Sequence, residues 1–179
     1  MAKDEKGRIH IYAGDGKGKT TASVGLAVRA SARGWKVLFV QFLKDGKSAE
    51  LKVLRSLPTV TVLSGQKINK FTFAMTPEEK AIAKAEMSER LKEAREKAEK
   101  GEVDLLVLDE ALGAIHAGVL SEESVLDFLD HKPYSLELVL TGRDPSQALI
   151  DRADYYSEVC MRKHPYETEG LNARPGVEF

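Results

Sequence analysis

Arg8-Ile9-His10-Ile11-Tyr12-Ala13-Gly14-Asp15-Gly16-Lys17-Gly18-Lys19-Thr20-Thr21 is the stretch on which the fold turns. A β-branched run ends at Ala13. Three glycines then alternate with charged residues, and a helix-competent segment follows from Lys19. A chain that wraps tightly around a polyphosphate needs glycines, because they reach positive φ and let backbone approach the anion. Its amides and the following helix N-terminus then point at the phosphates. Ala13 to Thr20 fits this phosphate-binding loop, with Ala in place of the first Gly. Lys19 would sit against the phosphates and the Thr20 hydroxyl would coordinate Mg²⁺. By composition alone such a match arises about once per hundred chains of this size. Its place between a predicted strand and a predicted helix therefore carries the argument.

Outward from the loop, short aliphatic runs alternate with helical stretches. The pattern predicts strands at Arg8–Ala13, Lys36–Phe42, Thr59–Leu63, Val103–Asp109, Leu136–Thr141 and Tyr155–Met161. Helices are expected at Lys19–Arg33, Ser48–Leu57, Pro77–Lys100, Glu122–Leu129 and Pro145–Arg152. Asp144-Pro145-Ser146-Gln147 repeats the capping logic of Thr76-Pro77-Glu78-Glu79. Leu105-Leu106-Val107-Leu108 is apolar without alternation, as a strand covered on both faces should be. This order predicts an α/β, P-loop NTPase-like three-layer fold with a mostly parallel sheet of about six strands. One domain is expected over residues 1–179, with no repeat or linker.

Charge excludes some classes. The 27 Lys and Arg nearly balance 28 Asp and Glu, so no broad field draws nucleic acid or an anionic membrane. The segment Pro77–Lys100 holds seven acids and seven bases in 24 residues, and elsewhere 41 charges spread over 155 residues, an ordinary density. Ala83, Met87, Leu91, Ala94 and Ala98 mark a thin apolar stripe on it. Its charges read as a solvated face with i,i+4 pairs before they read as a docking surface. No apolar run suits a membrane helix, and residues 1–8 show no signal-peptide h-region. The single cysteine, Cys160, fits a reducing cytoplasm and reads as a small buried residue.

A second nucleotide element is Val103-Asp104-Leu105-Leu106-Val107-Leu108-Asp109-Glu110. An apolar strand ending in acids puts carboxylates at the sheet edge where such folds bind ligands, and hard Mg²⁺ takes oxygen ligands of this type. Leu138 to Arg143 delivers an arginine to the same edge, where it could pair with a phosphate or with a surface acid. No Asn-Lys-x-Asp guanine reader is present, which disfavours a GTPase. Glu110 could orient a water, as in an ATPase. No protein nucleophile declares itself. Phe71 and Phe73, in the polar stretch Ser64–Met75, are two apart and would share a side if extended. The residues alone favour two core-plugging rings over a binding loop. His10 reads as packed or hydrogen-bonded. His116 and His131 sit near helix or turn ends without metal-ligand spacing.

Taken together, these pieces resemble the ATP:corrinoid adenosyltransferases of the CobA/BtuR type. The matching segments are Ile11 to Ala22, Val40-Gln41-Phe42-Leu43-Lys44, Leu106 to Glu110, and Leu140-Thr141-Gly142-Arg143. Lys163-His164-Pro165-Tyr166 and Ala173 to Phe179 complete the set, in family order over nearly the whole chain. The resemblance implies transfer of the 5′-deoxyadenosyl group of ATP to the cobalt of a reduced corrinoid, cobalamin or cobinamide, with release of tripolyphosphate. It implies ATP lying reversed relative to ordinary P-loop enzymes, a homodimer, and a flavoprotein reductase as electron donor. It assigns ATP to Gly14, Asp15, Gly16, Lys17, Gly18, Lys19, Thr20 and Thr21, and charge stabilisation to Lys19 and Arg143. Metal ligation falls to Thr20 and Glu110, with Asp109 behind them or as an alternative ligand. Phe71 and Phe73 stand where the family carries a Phe-x-Trp pair packed under the corrinoid; Phe73 replaces the Trp. Some members carry a longer amino-terminal helix over the active site, so any cap here is expected from elsewhere, such as the Phe71 loop. His164-Pro165-Tyr166 reads equally as a structural turn or a nucleotide contact. The rival readings are a P-loop ATPase or small-molecule kinase, and a nucleotide-gated corrinoid-binding module.

Overall fold

The computed structural model describes residues 5–68 and 70–177. Residues 1–4, Asn69, and the Glu178-Phe179 end of the last family segment lie outside the described residues. Six parallel strands form one sheet: β1 (Ile9–Ala13), β2 (Val37–Gln41), β3 (Val60–Leu63), β4 (Leu105–Asp109), β5 (Glu137–Gly142) and β6 (Tyr155–Glu158), in spatial order β3-β2-β4-β5-β1-β6. Every residue of β2 and β4 is buried, which requires cover on both faces and explains their unbroken apolar runs.

The period-2 alternation of the strands sorts the core into two layers. Ile9, Ile11, Leu38, Val40, Leu106, Leu108, Leu138 and Leu140 point to one side, where they meet Met87 and Leu91 of α3 (Pro77–Glu99), Leu112 of α4 (Ala111–His116) and Phe128 of α5 (Glu122–Asp130). Val37, Phe39, Leu105, Val107 and Val139 point to the other, against Ala27 and Ala30 of α1 (Lys19–Ser31) and Leu51 and Leu54 of α2 (Glu50–Ser56). The three-layer α/β fold expected from the sequence is the one observed.

The long charged helix α3 begins as predicted. Thr76 Oγ1 accepts from Glu79 N–H at 3.2 Å while the Glu79 carboxylate accepts from Thr76 N–H at 2.9 Å, a closed capping box with Pro77 in the first turn. The stripe Ala83, Met87, Leu91, Ala94 and Ala98 is buried. Much of its charge forms local pairs, such as Arg95–Glu99 at 2.8 Å. Arg90 departs from the solvated-face reading. It is 9% exposed and donates to Gln41 O at 2.8 Å and to Gly65 O. One guanidinium thus ties α3 to the end of β2 and to the segment after β3. Arg90→Met would leave both carbonyls without that donor. The expected loss is about 2–4 kcal/mol, read as a Tm lower by roughly 5–12 °C in thermal unfolding.

Several boundaries differ from expectation. The helix near residue 147, α6, covers only Gln147–Ile150, and its cap is Ser146, whose hydroxyl accepts from Leu149 N–H at 3.3 Å. Asp144 adopts φ 48° and does not cap it. Strand β6 stops at Glu158 and all four of its residues are exposed, because it is the sheet edge. Cys160 lies beyond it and is exposed, not buried. Two short helices were not foreseen: α4 directly after Glu110, and α7 (Pro165–Glu169). Glu110 offers α4 no side-chain cap and α4 is only six residues long, so its start left no signature in the residue types.

Candidate active site

Because every strand is parallel, the carboxyl ends of β1, β2, β4 and β5 open on one edge, where such sheets bind ligands. The loop after β1 carries Gly14 and Gly18 at φ 121° and 120°. A Cβ on Gly14 would lie 2.5 Å from Val159 O, so the loop passes where no side chain fits. Asp15, Gly16, Lys17, Gly18, Lys19, Thr20 and Thr21 line a cleft of about 520 Å³, facing Lys44, Glu50, Glu110, Arg143 and His164. Gly14 lies behind them and shapes the turn.

Lys19 Nζ donates to Gly16 O at 2.7 Å, folded along its own loop. Burial lowers its pKa, the nearby Arg143 charge adds to this, and Glu110 and Asp15 oppose it. Arg143 is exposed on the cleft wall and also borders an adjoining hollow with Lys19, Glu110 and His116. The structure thus brings the loop, Lys19, Arg143 and Glu110 to one cleft.

The two acids have separate surroundings. Asp109 is fully buried. Its Oδ1 accepts from Thr20 Oγ1 and from Thr141 Oγ1, each at 2.8 Å, and its Oδ2 accepts from Gln41 Nε2 at 3.2 Å. Lys44 Nζ stands 3.5 Å from the same Oδ2. The carboxylate therefore fixes the Thr20 hydroxyl from behind the loop and is absent from the cleft lining. Glu110 follows in the left-handed region at φ 62°, its N–H donating to Thr141 Oγ1 at 2.9 Å. That turn swings its side chain into the cleft. Burial raises the Glu110 pKa, and the charge of Asp109 raises it further, against Lys44, Lys19 and Arg143. Consecutive carboxylates thus take different roles because one β-residue alternation and one left-handed turn separate them.

Phe71 and Phe73 do not plug the core. A 3-10 turn at Thr72–Ala74 brings their rings together, stacked at 5.5 Å and 76% and 84% exposed. They lie outside the phosphate cleft. Phe71 borders a hollow of about 320 Å³ with Leu43, Lys44 and Lys70, so Lys44 belongs to both spaces. The sequence assigned no role to Gln41, Lys44 or Thr141. Their signal was position: each is polar at or just beyond the carboxyl end of an apolar strand. Among the described residues no group of three His, Cys, Asp or Glu could hold a metal. His10 is half-buried, hydrogen-bonded to Glu137 and stacked on Tyr155.

Comparison with known proteins gives this arrangement a context. The family model described as ATP:corrinoid adenosyltransferase BtuR/CobO/CobP matches residues 5–179. The chain is 34% identical to a corrinoid adenosyltransferase of Pseudomonas aeruginosa, covering 100% of this chain and 87% of that protein. It is 32% identical to a corrinoid adenosyltransferase of Sinorhizobium sp, covering 98% and 82%. Among solved structures, EssC (ATPases 2 and 3) from Geobacillus thermodenitrificans superposes with a TM-score of 0.48 at 14% identity, over 94% of this chain and 35% of that one. With a full-length family match on a phosphate loop, an acid-bearing β4 and an arginine after β5, the chain belongs to the ATP:corrinoid adenosyltransferase family.

Proposed function

We propose that this chain transfers the 5′-deoxyadenosyl group of ATP to the cobalt of a reduced corrinoid and releases tripolyphosphate. One observation carries the reading. The cleft assigned to polyphosphate and the hollow bordered by Phe71, whose ring stacks on the exposed Phe73, share Lys44. A phosphate cradle therefore adjoins an apolar platform, as a reaction between a nucleotide and a large flat substrate needs. In the proposed reaction the substrate cobalt(I) supplies the electron pair that forms the cobalt–carbon bond to C5′. The bond from C5′ to the α-phosphate oxygen breaks, and that pair leaves on tripolyphosphate. Such a step needs no protein base.

What remains for the protein is alignment and charge. Lys17, Lys19, Arg143 and the loop amides other than those of Gly14 and Gly16, which donate to Gly142 O and Val159 O, are the groups we assign to the phosphates, with Lys19 and Arg143 facing the charge that develops on the leaving group. The donor set suits Mg²⁺, since Thr20 offers a hydroxyl and Glu110 a cleft-facing carboxylate, both hard oxygens. We assign the ion to Thr20 and Glu110, with Asp109 orienting Thr20 by its 2.8 Å hydrogen bond. Bound there, Mg²⁺ would neutralise part of the tripolyphosphate charge. Phe71 and Phe73 are assigned to the lower face of the corrinoid. The reading extends to one domain over 1–179, a homodimer, a cytoplasmic setting and a flavoprotein donor. The last is supported by the need for an electron source able to make cobalt(I).

The test is direct. Incubation with Mg-ATP and chemically reduced cobalamin should yield tripolyphosphate and a light-sensitive cobalt–carbon product. ADP with unchanged corrinoid would instead make the protein an ATPase or kinase. Binding of both without product would make it a delivery module.

A further inference from the structure

The segment after β6 runs on against the phosphate loop. Val159 N–H donates to Ala13 O at 2.7 Å, and Gly16 N–H donates to Val159 O at 2.7 Å. The Asp15 carboxylate accepts from Met161 N–H at 2.9 Å, the main reason its pKa lies below the ordinary carboxylate value. A Cβ on Gly14 or Gly16 would meet Val159 O at 2.5 or 2.7 Å. The glycines that open the loop to phosphate on one side thus admit this segment on the other.

Three residues past Met161, the half-buried His164 lines the cleft opposite the loop. It also caps α7: its Nδ1 accepts from Tyr166 N–H at 3.2 Å. A neutral imidazole whose Nδ1 lone pair is engaged carries its proton on Nε2. The capping and donating functions therefore fall on different ring nitrogens and can be separated by substitution. The helix it caps contains no buried residue.

We propose that His164 is a nucleotide-contacting residue whose Nε2–H donates to the polyphosphate chain, and that Asp15 is a positioning residue holding the segment Val159–His164 on the loop. The proposal deepens the reading above and rests on it only for the identity of the departing tripolyphosphate; the contact to bound polyphosphate does not depend on which bond of ATP is broken. It resolves the His164-Pro165-Tyr166 ambiguity as both a turn and a contact. Asp15 then serves by its hydrogen bond to Met161 and not by touching phosphate, which its charge would repel.

Asn and Gln separate the two nitrogens of His164. Asn places its amide near Nδ1, so His164→Asn keeps the cap and loses the donor. Gln reaches toward Nε2, so His164→Gln keeps the donor and loses the cap. Calorimetric titration with Mg-ATP and with inorganic tripolyphosphate, without corrinoid, reads the contact directly. His164→Asn should weaken both ligands about tenfold, the worth of a hydrogen bond to a charged group, while His164→Gln stays near wild type. The reverse pattern, equal loss in both, or loss in neither overturns the contact. Asp15→Ala gives a test by sign. Removing an anion from the cleft should tighten polyphosphate binding, whereas releasing the segment should weaken it. Weaker binding is expected, and tighter binding overturns the positioning role. Since corrinoid takes no part, these outcomes stand apart from any failure of adenosyl transfer.

Discussion

Lys19→Ala is expected to lower kcat/KM for ATP by about 10²–10³-fold, the usual cost of deleting one preorganised charge donor from a site of charge development. The ammonium in question is partly buried and stands beside Arg143, a repulsion that Glu110 and Asp15 offset only in part. That arrangement is unfavourable until polyphosphate arrives, and the repulsion is relieved most where negative charge is greatest. Because the leaving tripolyphosphate carries more charge than bound ATP, the loss should fall on kcat as well as KM. Steady-state kinetics with saturating corrinoid checks this. A rise in KM with kcat unchanged would reduce Lys19 to a ground-state anchor. Little fold damage is expected, since Lys19 Nζ gives up one part-buried bond to Gly16 O within its own loop.

Ala at both Phe71 and Phe73 should act more selectively. With corrinoid already reduced in solution, turnover should change little. When cobalt must be reduced on the enzyme, activity should fall at least about tenfold, equivalent to about 1.4 kcal/mol of lost stabilisation. The physical basis is exposure. Two stacked rings 76% and 84% in water gain by being covered, and a planar apolar substrate face can cover both at once. Equal rates for the double variant and wild type under both regimes would remove the rings from the mechanism. Neither ring packs in the core, so loss of activity cannot be charged to unfolding.

Whatever depends on short-range pattern was readable: the alternation that fills two core layers, the Thr76–Glu79 capping box, the phosphate loop and the acid-bearing β4. What depends on long-range approach was not. Arg90 sits among charges spaced like a solvated face, and only its nearness to Gln41 O and Gly65 O makes it an internal strut. Phe71 and Phe73 have the composition of core residues, and only a 3-10 turn in an exposed segment shows otherwise. Cys160 falls inside the strand predicted at Tyr155–Met161, where a small apolar residue would be buried, yet the observed strand stops at Glu158 and is an exposed edge.

By itself, then, the sequence determined the α/β layers, the nucleotide loop and the family, because these rest on local periodicity and on residues a few positions apart. Tertiary structure decided which acid faces the cleft, since Asp109 and Glu110 differ only in the turn between them and in Thr20, Thr141 and Gln41 arriving from three other elements. It also decided that His164, about 145 residues from Lys19 in the chain, lines the same cleft. A pairing across that distance is set by the parallel register of β1 with β6, and register is a property of the whole sheet.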